Sequence, residues 1–462
     1  MQKPFLQFLG AAETVTGSKF LLSFPESRIL IDCGLFQGVK KLRNLNWLVP
    51  PVDLSTIQYI IITHAHLDHV GMIPRWVMQG FAGKIFMTGP TEELAKIVLE
   101  DSAKIQMEEA EHINKIGYSK HKPALPLYDL KDVKYSYQYF HVVSIDKWIT
   151  LSPGLRFRYR YAGHILGACW VEIDYHGETF IFSGDLGRYN NNLMYSPVSP
   201  DSCDVLVMES TYGNKQHPPL KSAEKKLLHL INQTYQREGN VIIPSFAVER
   251  TQDLMYILWK AQKEKKIPPV PLIMDSPMGK SAMDVFINFP EWHKLDLKLC
   301  REICQTFEIV GDIRDTYRIM DDPRPKIVIA GSGMITGGRV LFYLQRYIEQ
   351  KNNTVILVGY QAEGTRGRRL LEGEKQLKIF DQYYQVNAKV YQLDGLSAHA
   401  DSTELMKWLA GIKQKPKKIF LVHGETGPLD ALRQKIDRLG IDEKKQQTRH
   451  WFRLFCRVCW CI

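Results

Sequence analysis

Short apolar runs that stop at a polar residue recur along the chain. Ile29-Leu30-Ile31 ends at Asp32, Ile60-Ile61-Ile62 at Thr63-His64, and Phe180-Ile181-Phe182 at Ser183-Gly184-Asp185. Val205-Leu206-Val207-Met208 ends at Glu209, and Ile419-Phe420-Leu421-Val422 at His423. Runs of this length closed by turn residues predict buried strands. Each brings a polar residue to its C-terminal end, where layered α/β folds place their sites. Between them, Leu254, Ile257, Leu258 and Ala261 follow helical spacing, as do Leu405, Trp408, Leu409 and Ile412. Asp401 or Ser402 can cap the second helix, with Glu404 in its first turn. Pro268-Pro269-Val270-Pro271 and residues 321–325 read as loops. The pattern is that of a mixed, layered α/β protein.

Composition narrows the class. The 462 residues are 45% hydrophobic and 24% charged, a globular balance with chain enough for two or three domains. No apolar stretch is long enough to span a bilayer, and Met1-Gln2-Lys3-Pro4 leads into no signal-peptide pattern. Eight cysteines are too few for a disulfide scaffold in so long a chain. The expectation is a cytoplasmic enzyme that does not enter a membrane. Net charge is +10, unevenly spread: residues 1–209 carry −2, 210–395 carry +6 and 396–462 carry +6. Solvated lysine-rich helices or an anionic substrate would both produce that split.

The strongest chemical signal is Thr63-His64-Ala65-His66-Leu67-Asp68-His69, four metal-capable side chains directly after an apolar strand. Imidazole and carboxylate suit zinc and similar divalent ions. His164, in Ala162-Gly163-His164-Ile165-Leu166-Gly167, and Asp185 fit as completing ligands. A lone carboxylate after a strand can bridge two ions, so a two-metal site is the most economical reading.

In order and local context, Asp32, His64-x-His66-x-Asp68-His69, His164 and Asp185 resemble the motifs of the metallo-β-lactamase fold. The resemblance implies an αββα sandwich with a di-zinc site at one edge. His64, His66 and His164 would hold one zinc, Asp68 and His69 the other, and Asp185 would bridge them. Asp32 would orient the metal-bound water or a ligating histidine. Glu209-Ser210-Thr211-Tyr212-Gly213, Ser397-Ala398-His399-Ala400-Asp401 and Val422-His423-Gly424-Glu425 resemble motifs A, B and C of the β-CASP nucleases. That group includes the pre-mRNA 3′-end processing endonuclease and its prokaryotic relatives. About 190 residues separate motifs A and B, room for an inserted domain. The implied fold is an α/β metallo-β-lactamase sandwich (1–209 and 396–462) with an inserted α/β β-CASP domain (210–395).

Carried over by position, His423 would be a further ligand of the second zinc, and a histidine there goes with RNA rather than DNA. Asp32, Asp68, Glu209 and His399 become the catalytic candidates, with His399, paired to Glu209, protonating the leaving oxygen. The plainer alternatives are a capping histidine at 399 and, at 209, a carboxylate bonding Thr211 or a loop amide. The implied function is a two-zinc ribonuclease whose activated hydroxide leaves 5′-phosphate and 3′-hydroxyl ends. Endonucleolytic and 5′-exonucleolytic action both stay open. A DNA-directed nuclease, a non-catalytic RNA-binding subunit and a small-molecule hydrolase are the competing readings.

Two glycine-rich stretches in the insert resemble nucleic-acid-facing β-CASP loops. The first supplies Ser332, Gly333, Met334, Thr336, Gly337, Gly338 and Arg339. The second, residues 359–369, supplies Gln361, Gly364 and Thr365, with three arginines as counter-charge. Arg250 and Ser397 are further substrate-binding candidates, Arg250 with an ion pair to Glu249 or Asp253 as its alternative. Single-stranded RNA lying in a groove between the domains is the expected partner, read with weak sequence preference; a homodimer is left open. After Leu439-Gly440 the resemblance requires a closing strand. The chain instead runs into an arginine- and aromatic-rich tail with three of the eight cysteines in its last seven residues. An altered reading frame or divergent end is the preferred explanation over zinc binding by Cys456-x-x-Cys459. Cys300 and Cys304 are taken as core.

Overall fold

The computed structural model describes residues 4–116, 123–438 and the backbone of 458–461. It divides into two units: Met1–Tyr189 with Ser196–Gln216 and His399–Ile462, and Asn190–Tyr195 with His217–Ala398.

The first unit holds two sheets. One runs in the order Val458–Cys461, Phe5–Phe8, Phe20–Ser23, Arg28–Ile31, Tyr59–Ile61, Lys84–Met87, Phe140–Val142. Its first three pairings are antiparallel and the rest parallel. The other runs Lys418–Val422, Val205–Glu209, Glu178–Phe182, Cys169–Tyr175, Leu155–Tyr161, Ile149–Ser152. Here the first two pairings are parallel and the others antiparallel. Phenylalanines bring the two sheets together: Phe20 stacks on Phe182 at 6.3 Å, Phe24, just past its strand, meets Phe180 edge-on at 5.9 Å, and Phe86 meets Phe157 at a tilt at 5.1 Å between ring centroids. Each ring so buried contributes about 1.5–3 kcal/mol. Helix Ser402–Ala410 sets Trp408 against Trp170 of the second sheet, and both indoles donate to the Val198 carbonyl. Asp401 caps this helix in a capping box with Glu404.

This strand order explains why the polar run-ends matter. Strands ending at Ile31 and Ile61 are parallel neighbours, as are those ending at Phe182, Glu209 and Val422. Leu155–Tyr161 points the same way as Glu178–Phe182, since both lie antiparallel to the strand between them.

The tail corrects one expectation. A closing strand does exist: Val458–Cys461 pairs antiparallel with Phe5–Phe8, whose outer edge otherwise presents unpaired backbone groups. Cys456 lies outside the described residues, and with it the Cys456-x-x-Cys459 pair.

The second unit is built on six parallel strands in the order Glu308–Val310, Leu272–Asp275, Ile327–Ala330, Val241–Pro244, Thr354–Val358, Lys389–Leu393. Helices such as Arg250–Lys263 and Val340–Tyr347 connect them. The four apolar positions 254, 257, 258 and 261 are all buried. The strands before the two glycine-rich loops flank Val241–Pro244, so both loops leave the carboxyl end of the sheet where the chain crosses over that strand. Cys300 is buried and Cys304 half-buried. Among the described residues no helix is long and apolar enough to cross a membrane.

Candidate metal centre

The turn after Tyr59–Ile61 carries His64 and His66, and a short helix, Leu67–Val70, sets Asp68 and His69. Gly34 lets this turn close. A β-carbon there would lie 1.6 Å from the Asp68 carbonyl oxygen. Gly187 does the same for the other side, where a β-carbon would lie 1.8 Å from the Gly163 carbonyl oxygen. The His164 and Asp185 loops therefore touch.

Two ligand sets that share no residue result, beside a third group, Asp185, Glu209 and His423, that overlaps both. His64, His66, His164 and Asp185 offer atoms within 4.8 Å of one another, and so do Asp68, His69 and His423. His66 Nδ1 lies 3.1 Å from His64 Nε2 and 3.3 Å from His164 Nε2. One ring nitrogen has a single proton or a single lone pair and cannot serve both neighbours. A cation among them would accept all three lone pairs. In the second set His423 Nε2 is 3.3 Å from both His69 Nε2 and Asp68 Oδ2. Asp185 divides its oxygens. Oδ2 faces His64 Nε2 at 3.4 Å, and Oδ1 faces His69 Nε2 at 3.5 Å. Buried Oδ1 accepts no hydrogen bond among the described residues. These residues fit a divalent cation held by nitrogen and oxygen.

Titration behaviour agrees for the first set. Burial, reinforced by the His69 charge, pushes His64 down to about 3, and burial brings His66 down to about 4. Burial likewise holds His164 well below its usual range. All three imidazoles are neutral at physiological pH and have lone pairs to give. Burial alone would lower His69 and raise Asp185, but Asp185 and Asp32 hold His69 well above its ordinary value, and His423 and then His69 hold Asp185 well below its own.

A supporting layer orients the rings. Asp32, itself in the left-handed region at φ 59°, accepts from His69 Nδ1 at 2.7 Å and from the Thr63 amide at 2.8 Å. Thr63 Oγ1 donates to Asp32 at 2.9 Å and receives His64 Nδ1 at 3.0 Å, leaving Nε2 as acceptor. Thr211 Oγ1 sits 3.0 Å from His423 Nδ1. Neither role was expected from the sequence, although Thr63 and Thr211 both stand inside quoted motifs. Buried Lys19, also missed, donates to the Gly17 and Gly34 carbonyls at 3.0 and 2.6 Å.

Glu209 and His399 meet beside the cluster. His399 Nδ1 is 3.3 Å from Glu209 Oε2 and 3.9 Å from Asp185 Oδ2. Burial works against protonating His399, but Glu209 and then Asp185 outweigh it and push it up to about 9. The helix cap is Asp401, so His399 is not a capping residue. Glu209 Oε1 also accepts from the Leu186 amide at 2.6 Å, so the loop-amide alternative holds alongside the pair. Thr211 bonds His423 rather than Glu209.

Comparison with known proteins follows this geometry. Residues 17–232 match the metallo-beta-lactamase superfamily, 251–370 the Beta-Casp domain and 383–444 the Zn-dependent metallo-hydrolase RNA specificity domain. A ribonuclease of Thermus thermophilus is 31% identical, with 92% of this chain and 94% of the relative covered. The chain belongs to the metallo-β-lactamase-fold β-CASP family. Among other β-CASP relatives, the transcription termination factor FttA of Methanosarcina mazei is 32% identical, covering 90% of this chain and 66% of that protein. A crystal structure of an Enterococcus faecalis protein of unknown function shares the fold at TM-score 0.54 and 14% identity, covering 93% and 95% of the two chains. Membership makes the protein a metal-dependent hydrolase.

The β-CASP loop candidates are largely engaged with one another. Ser332 Oγ accepts from the Thr336 and Gly337 amides, and Gln361 Nε2 donates to the Gly333 carbonyl. The Met334 carbonyl accepts from Gly367, and Thr365 caps helix Arg366–Leu371 just after Gly364. Gly338 has φ 73° and Arg339 lies 3.6 Å from buried Asp275. Arg366 donates to the Ile335, Thr336 and Lys378 carbonyls, Arg368 pairs with Glu372 and Arg369 with Glu374. Arg250 is 6% exposed and paired with Glu249 and Asp253, the ion pair given as the alternative to a phosphate contact. Ser397 is half-buried.

Proposed function

We propose that this chain is a zinc-dependent ribonuclease with two metal ions per site. The observation that carries the reading is Asp185, whose two oxygens face two separate ligand sets while His399 stands beside one of them. His64, His66 and His164 would hold one ion, Asp68, His69 and His423 the other, with Asp185 common to both. When bound, such ions acidify a water and neutralise charge on phosphoryl oxygens.

The chain's own residues do the rest. Asp32 and Thr63 fix the ring faces of His69 and His64, so the ligand lone pairs converge before substrate arrives. Glu209 holds His399 by Nδ1 and leaves Nε2 to donate a proton to the departing 3′-oxygen. Products would carry 5′-phosphate and 3′-hydroxyl ends. RNA is favoured because the chain carries a match to an RNA specificity domain and its relatives include a ribonuclease and a transcription termination factor.

Zinc-loaded protein should be offered 5′-labelled single-stranded RNA, matching DNA and circular RNA. Cleavage of linear RNA to 5′-phosphate products is expected, and cut circles would establish endonucleolytic action. DNA cut faster than RNA would overturn the substrate assignment.

A further inference from the structure

The arginines that the glycine-rich loops offered to RNA are occupied, but another basic segment is not. Between Asp32 and Asp53 the chain carries Lys40, Lys41 and Arg43 and no carboxylate, inside a segment that is otherwise net acidic. All three are exposed, and among the described residues no ion pair holds them. They stand beside Trp47, which is 49% exposed, followed by Leu48 at 52% and Val49 at 83%. Exposed apolar side chains that form a contiguous patch mark interaction sites.

This segment is not a loose loop. Asn46, 3% exposed, clamps it: Oδ1 accepts from the Phe36 amide at 2.9 Å and Nδ2 donates to the Phe36 carbonyl at 2.8 Å. Phe36 follows Asp32 by four residues, and the stretch between them is fixed to the ligand turn by Cys33 N donating to His69 O and Leu35 N to Leu67 O. The basic segment is thus tied by backbone to the metal centre. Arg75 lies 5.3 Å from the Trp47 ring centroid and steadies the indole. Uncompensated cations interleaved with a rigid exposed aromatic suit a single-stranded nucleic acid, whose phosphates take the cations and whose bases stack.

We infer that Lys40–Val49 is a binding platform for single-stranded RNA beyond the scissile bond, with Lys40, Lys41 and Arg43 on phosphates and Trp47 stacked on a base. The inference rests on the ribonuclease reading above. It assigns substrate affinity to a segment that takes no part in the chemistry.

The test is equilibrium binding of fluorescent oligouridylate to full-length protein in EDTA, where no metal supports cleavage, across a range of salt. A Lys40→Ala/Lys41→Ala/Arg43→Ala variant should bind more weakly and lower the slope of log affinity against log salt by about 2. Trp47→Ala should bind about tenfold more weakly with the slope kept, and Trp47→Phe should restore most of the loss. Photo-crosslinking of 4-thiouridine RNA to the unaltered protein should label a peptide within 39–49, a result independent of how any variant folds. Unchanged affinity and slope in the variants, with no crosslink there, overturns the platform while unaltered RNA binding leaves the ribonuclease reading intact. If in addition the unaltered protein sediments as a dimer and Trp47→Ala as a monomer, the patch belongs to a second copy of the chain. Absence of RNA binding by the unaltered protein in EDTA also overturns the platform, whereas absence of RNA cleavage by the zinc-loaded protein overturns the ribonuclease reading.

Discussion

His399 and Asp32 divide the labour of the site between them. His399 touches the cluster without completing either ligand set, so His399→Ala should lower RNA cleavage by about 10²–10⁴-fold while zinc content stays near that of the unaltered protein. Loss of both metals in that variant would mean the imidazole is a ligand. Asp32 acts through its bond to His69 Nδ1. Asp32→Ala should weaken zinc at the second set by about 10–100-fold, read by competition with a chromophoric chelator. Unchanged zinc affinity would remove Asp32 from that role. The metal-capable residues were legible because a histidine-rich turn after an apolar strand has few structural uses. The roles of Thr63 and Thr211 were not, because a threonine inside a motif reads as an ordinary turn residue until its partner is placed. Thr63 serves Asp32, 31 residues away, and Thr211 serves His423, 212 residues away.

Among the elements, the strand ends set the site and close backbone approach sets the strand ends. Gly34→Ala should cost at least about 1–3 kcal/mol, because the added carbon meets a carbonyl oxygen that carries Asp68 and cannot yield without moving it. A lowered urea midpoint together with weakened zinc binding is the expected result; an unchanged midpoint would show that the turn has slack. The apolar runs announced their strands, and the 3.6-residue spacing announced helices Arg250–Lys263 and Ser402–Ala410. Sheet order was not announced. Pairing joins Val205–Glu209 to Lys418–Val422 across the whole inserted unit, and no local pattern records such a partner. The same limit explains the tail, where Val458–Cys461 finds Phe5–Phe8 at the far end of the sequence. It explains Arg250 too: a basic residue beside two carboxylates is settled only by burial, and here burial favours the ion pair.

At the scale of the molecule, the net +10 turns out to be a poor guide to where RNA would touch. The arginines of the second glycine-rich loop are engaged locally, Arg368 and Arg369 with Glu372 and Glu374 and Arg366 with loop carbonyls. The first unit carries the uncommitted cations of residues 40–43 although its first 209 residues sum to −2. Charge that is tied to a neighbouring carboxylate has little left for a phosphate, so its placement matters more than its sum. Two cations at the cluster would add to the positive field where the first unit's own carboxylates gather.

The central claim is that RNA hydrolysis requires both ligand sets filled at once. Metal-free protein should therefore be titrated with zinc while cleavage of 5′-labelled single-stranded RNA is followed. The account predicts little activity until the first equivalent is bound and a steep rise to a plateau at the second. Full activity at one equivalent, or no RNA cleavage at any zinc level, would contradict it.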